Sequence, residues 1–129
     1  MRFARLLPLI GLAALAACAK TAGGPAISNA PPPEQIDGRY VGIQRLARAA
    51  AAGCPRSGRK IVTVSDSALS LQYRGPRASY ALAATVSPDG SVHGSDGRGS
   101  IDGQISGRHM DLTVSSEFCD VRYALDRAR

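Results

Sequence analysis

From Gly38 to the end of the chain, apolar and polar residues alternate with a period of two. Leu69, Leu71 and Tyr73 are interleaved with Ser70, Gln72 and Arg74. Tyr80, Leu82, Ala84 and Val86 are interleaved with Ala81, Ala83 and Thr85, and Ile101, Gly103 and Ile105 with Asp102, Gln104 and Ser106. Met110, Leu112 and Val114 alternate with Asp111 and Thr113, and Cys119, Val121, Tyr123 and Leu125 with Asp120, Arg122, Ala124 and Asp126. Successive side chains of a strand point to opposite faces, so this period marks strands with one face in a core and the other in water. Three further strands complete the set: Arg39–Leu46 with Tyr40, Val41 and Ile43, the β-branched run Lys60–Ser65, and a short strand around Val92.

The connections carry turn chemistry. Pro88-Asp89-Gly90 fits a tight turn, Gly107 can take a positive φ between two strands, and Ser65-Asp66-Ser67 fits another hairpin. The one helix candidate is Gln44–Ala52, an alanine-rich stretch that could bury little. The first strand is therefore expected to run to about Arg48, with an irregular segment ending at Gly53-Cys54-Pro55. Eight strands joined by short links read as an all-β, antiparallel up-and-down meander. Such a sheet hides its edges by closing the first strand against the last into a small barrel. The alternative is an open, twisted sheet curled over a small core.

Ahead of the strands lie two segments of other character. Arg2 and Arg5 precede an apolar stretch, Leu6 to Ala17, that is too short to span a bilayer as a helix. No polar face alternates with the apolar one, as a buried helix of the domain would require. The stretch ends in Leu15-Ala16-Ala17-Cys18, which resembles the lipobox of bacterial lipoprotein precursors. The resemblance implies that residues 1–17 are a signal peptide and that Cys18 becomes a lipidated N-terminus, bearing a diacylglyceryl thioether and usually an acylated, palmitate-type amine. The partner is then the lipid bilayer. One acyl chain holds weakly and several hold firmly. Ala19, in place of an aspartate, points to the outer membrane, with the domain facing the periplasm. An ordinary signal peptide, cut without lipidation, is the alternative. Residues 18–36 are rich in Ala, Gly and Pro, with Pro31-Pro32-Pro33 near their end, and read as a flexible tether before a domain over residues 37–129.

The cysteine count agrees with export. With Cys18 consumed by lipid, Cys54 and Cys119 remain, and an even pair in an exported chain reads as a disulfide. Cys54 follows the first strand and Cys119 opens the last, so pairing those two strands antiparallel would bring both cysteines to one end of the barrel. No CxxC and no neighbouring histidine supports a reactive or metal-binding thiol instead.

Charge and motifs exclude more than they assign. The net charge of +6 falls to +4 when Arg2 and Arg5 leave with the signal segment. The basic residues are scattered, with two Phe, four Tyr and no Trp, which argues against nucleic acid. The one basic cluster, Arg56-Ser57-Gly58-Arg59-Lys60, reads as a solvated loop; a functional version of it would meet anionic lipid headgroups or lipopolysaccharide. Ser95-Asp96-Gly97-Arg98-Gly99-Ser100 lacks the lysine of a phosphate loop and reads as a hairpin turn. His93 and His109 read as surface strand residues without metal-site spacing, and Asp96, Asp102 and Asp111 as outward-facing solubilising groups. No catalytic set and no cofactor site emerges.

Gly38-Arg39-Tyr40, the Asp89-Gly90 hairpin, the run Ser100–Gly107 and the terminal Cys119-x-x-x-Tyr123-x-Leu125 look like small secreted or lipid-anchored β proteins of proteobacteria. A more distant likeness is to eight-stranded lipoprotein barrels that inhibit proteases. Neither carries a site residue over, and fold does not fix function. The expected function is a non-enzymatic, membrane-anchored envelope lipoprotein whose β-domain is structural or binds a protein partner in the envelope. The alternatives are a periplasmic protease inhibitor, presenting a linker or a barrel-mouth loop, and a carrier of a small apolar ligand. An eight-stranded barrel is just wide enough to be filled or to hold one such ligand, and strands this short, with Gly103 inward, favour filling.

Overall fold

The computed structural model describes residues 36–129. The signal segment, Cys18 and nearly all of the tether lie outside them. Eight strands follow one another: β1 (Gly38–Ala49), β2 (Gly58–Ser65), β3 (Ala68–Arg74), β4 (Ser79–Val86), β5 (Ser91–Ser95), β6 (Gly99–Ser106), β7 (His109–Ser116) and β8 (Cys119–Arg127). Each pairs antiparallel with the next, and β1 pairs with β8, so the sheet is a closed barrel.

The expected inner faces are the buried ones. Twenty apolar side chains fill the interior, from Tyr40, Val62 and Leu71 to Ile101, Met110, Val121 and Leu125, with no buried charged or polar residue among those described. The outer faces carry Arg, Asp, Gln, Ser and Thr. Apolar inside and polar outside is the reverse of a barrel that crosses a bilayer on its strands. Ile43, Leu46 and Ile61 are the large apolar side chains left exposed outside.

Three close approaches let so small a barrel close. A Cβ on Gly42, Gly94 or Gly103 would lie 2.1 Å from a backbone carbonyl oxygen of the adjoining strand. Gly103 does face inward, and its neighbours are the Asp111 carbonyl and Leu112. At the hairpin between β2 and β3, Asp66 and Ser67 both take positive φ, 51° and 59°. That mirror-type turn suits the twist of paired strands but is strained for residues with a Cβ. The Asp37 carboxylate holds it, accepting the amides of Asp66 at 2.9 Å and Ser67 at 3.4 Å.

Two expectations need correction, and a third is met. Ile36, assigned to the tether, is 3% exposed and belongs to the core; its carbonyl accepts the Tyr40 hydroxyl at 2.7 Å. The basic run Arg56–Lys60 is only partly loop, because Gly58, Arg59 and Lys60 open β2 and Lys60 turns towards the inner face. The first strand runs to Ala49, within one residue of the expected end, with a register shift between Leu46 and Arg48 against β8. Such a shift is how a strand accommodates one extra residue.

Candidate functional site

In an up-and-down meander the connections alternate between the two ends. The loops after β1, β3, β5 and β7 therefore share one end of the barrel, and the chain enters at the other, at Ile36. The disulfide marks the first end. Cys54, in the loop after β1, is bonded to Cys119, the first residue of β8, with 5.7 Å between their Cα atoms. Ala49 lies opposite Cys119 in the register, and the Ala50 amide donates to the Phe118 carbonyl at 2.7 Å. Beside them Arg48 binds both carboxylate oxygens of Asp120, at 2.7 and 3.0 Å, and the Ser116 carbonyl at 2.9 Å. That pairing holds the Asp120 carboxyl below the usual range.

Two open clefts lie at this disulfide end. The larger, of about 660 Å³, runs between the loops after β3, β5 and β7. Its floor is aromatic. The rings of Tyr73 and Tyr80 meet at 5.3 Å, and the Tyr73 hydroxyl hydrogen-bonds Ser116 Oγ at 2.8 Å. Two guanidinium groups lie on aromatic faces at its rim, Arg77 over Phe118 at 4.6 Å and Arg98 over Tyr80 at 4.4 Å. Stacking of this kind combines charge attraction with an apolar contact. Arg98 is also held by Asp96 at 2.6 Å, and Asp96 accepts the Arg98 and Gly99 amides, so its carboxyl sits below the ordinary range. Asp96 therefore shapes its hairpin turn instead of only solubilising it. Arg77 has no such carboxylate among the described residues.

The smaller cleft, of about 430 Å³, opens between β2 and β3 under the loop after β1. Arg56, Lys60 and Arg74 line it with the phenols of Tyr73 and Tyr123. Burial pushes the Tyr123 phenol up to about 12, with Tyr73 adding to the shift, so it stays protonated.

The histidines lie elsewhere, on the outer wall. His93 Nδ1 is 2.6 Å from Asp102, across β5 and β6. His109 sits between two carboxylates, Asp126 at 2.9 Å from Nδ1 and Asp111 at 3.2 Å from Nε2. Asp96, Asp102 and Asp111 are thus not brought together at one end. Among the described residues no cluster of three or more His, Cys, Asp or Glu could hold a metal ion.

Neither cleft was visible to sequence reasoning. Arg77 and Phe118 sit in turn segments, and Lys60 belongs to a basic run that reads as solvated. The signal that could have found them is topological: every second loop must meet at one end, and those loops hold Arg56, Arg77, Arg98 and Phe118. Comparison with protein-family models, with curated proteins and with solved structures gives no match.

Proposed function

We propose that this chain is a membrane-anchored envelope lipoprotein, with a non-enzymatic β-domain that binds a partner at its disulfide end. The observation that carries the reading is the fate of the cysteines. The barrel uses Cys54 and Cys119 in one bond, which suits an oxidising compartment and leaves Cys18 alone at the end of the lipobox-like run. Geometry supports the binding role. An anchor at Cys18 would lead into the barrel at Ile36, the end opposite the aromatic cleft. Its walls suit a protein partner that offers an apolar side chain beside a carboxylate: aromatic rings for the first, Arg77 for the second. Ser116 in the cleft is engaged within the barrel, which favours binding over catalysis. Ser116 bonds to Tyr73 and to the Cys119 carbonyl, and the imidazoles are engaged by aspartates on the outer wall.

The test is intact-mass and N-terminal peptide analysis of the protein recovered from envelopes. The expected mature N-terminus is Cys18 carrying diacylglycerol and an amide-linked acyl chain, and Cys18→Ser should leave residues 1–17 attached and no acyl mass. A mature chain cut at any other bond, without lipid, would sink the anchor reading.

A further inference from the structure

Strand pairing stops short along the seam between β2 and β3, as it also does between β4 and β5. β2 and β3 pair only at Val64–Leu69 and Ser65–Ala68, next to their hairpin. Beyond that they splay towards the disulfide end, although β2 stays paired to β1 and β3 to β4 throughout. The smaller cleft is this opening. Lys60 crosses it, donating from Nζ to the Gln72 carbonyl of β3 at 3.0 Å. That contact uses one of three ammonium protons. Lys60 is half-buried, and burial, then the nearby Arg74 charge, push its ammonium below the usual lysine range. Arg74 comes from β3. Arg56 comes from the loop above, whose carbonyl accepts Gln44 Nε2 at 2.6 Å. No carboxylate lines the cleft. Asp96 and Asp120, at the same end, are already held by Arg98 and Arg48, and Glu117 lines the other cleft.

We propose that the seam between β2 and β3 binds a phosphoryl group, held by Lys60, Arg56 and Arg74. Three like charges gathered around one half-enclosed space raise the free energy of the empty site, and an anion lowers it. The choice of anion follows from the number and origin of the donors. A single guanidinium fork already matches the two oxygens of a planar carboxylate. Cations arriving from a loop and from two strands, with the protonated Tyr123 phenol beside them, surround a centre with three free oxygens. A phosphate monoester has that shape, whether free in solution or part of a lipid headgroup. The site lies within the barrel domain and stands whether or not Cys18 carries lipid.

Full-length protein in zwitterionic detergent micelles, followed by amide resonances, distinguishes the sources. At constant ionic strength set with sodium chloride, inorganic phosphate is expected to shift Lys60, Gln72 and Arg74 saturably. Arg74→Gln should weaken half-saturation by about tenfold, the loss of one charge-assisted contact. Arg39→Gln, at the opposite end of the barrel, should change nothing. If the same resonances ignore phosphate but move when the micelles are doped with phosphatidic acid, whose headgroup is a phosphate monoester, the phosphoryl group is a lipid's. Silence in both arms overturns the proposal, as does a phosphate response that Arg74→Gln and Lys60→Gln leave intact.

Discussion

Cys54 and Cys119 join the loop after β1 to the first residue of β8, at the end of the barrel where Ala49 and Cys119 stand opposite each other in the register. The bond lies beside the seam that closes the barrel. Without it, β1 would be held to β8 at that end by the strand hydrogen bonds past the register shift, the exposed Arg48–Asp120 pair and the Ala50–Phe118 bond. The same bond ties down the loop that brings Arg56 over the smaller cleft.

Removing the disulfide should therefore loosen closure at this end first. The two cysteines are 65 residues apart, and the chain-entropy model gives such a cross-link ~4 kcal/mol. For a domain of this size that corresponds to a fall in melting temperature on the order of 20 °C. The measurement is a thermal melt of the Cys54→Ala, Cys119→Ala double variant against the oxidised parent. Cys119 is fully buried, and alanine avoids leaving a hydroxyl there. A melting temperature within a few degrees of the parent's would show that strand pairing alone closes the barrel.

Gly103 makes a sharper local prediction. A methyl group there would sit 2.1 Å from the Asp111 carbonyl oxygen and 2.7 Å from Leu112 Cδ2, and the first of these is backbone that cannot swing aside. Gly103→Ala should cost about 2–3 kcal/mol through forced separation of β6 and β7. Gly58→Ala meets nothing within 4 Å and serves as the matched control, with stability unchanged or slightly raised. Denaturant midpoints of the two variants check this, and equal midpoints would contradict the close approach.

The strands and their inward faces were readable from the sequence because alternation, turn residues and cysteine positions all agree. Leu69, Leu71 and Tyr73 face the core as their spacing requires. The run Lys60–Ser65 shows the limit. One face holds Lys60, Val62 and Val64, and the other Ile61, Thr63 and Ser65. The barrel buries the two valines, which leaves Ile61 exposed and carries Lys60 inward at the mouth. Ile36 was missed because a single apolar residue between polar neighbours has no period. The splayed seam was missed because β2 and β3 both alternate well. Whether two good strands stay paired to their ends depends on how the sheet coils round the barrel, not on either strand's own residues.

His109 gives the barrel a pH dependence whose sign can be stated. The hydrogen bond to Asp126 is the main cause of a pKa raised above the ordinary histidine value, and the charges of Asp111 and Asp126 add to it. A raised folded-state pKa means the contribution is fully present below the unfolded value, about 6.5, and is lost as pH rises through the folded one. The side chain is about half exposed, so solvent screens the effect and it should be small. Melting temperature measured from about pH 5 to about pH 9 should show a shallow decline across the neutral range, the window in which histidine titrates. Asp126→Asn should flatten that decline. A steeper decline in the variant would mean another group is responsible.

The seam between β2 and β3 should also differ from the fully paired strands β6, β7 and β8 in hydrogen exchange. Amides of β6, β7 and β8 lie in long, unbroken ladders where β7 pairs with β6 and with β8. Those of Arg59–Thr63 and Ser70–Arg74 that point across the seam have no strand partner there. Alternate amides of each strand point to opposite neighbours, so protection should alternate along β2: slow where the amide faces β1, fast where it faces β3. The expected pattern is one fast and one slow amide in turn from Arg59 to Thr63, against uniform protection in β7. Uniform protection along β2 would mean that the strands pair to their ends in solution. The cleft would then be closed, and Lys60 would have no opening to cross.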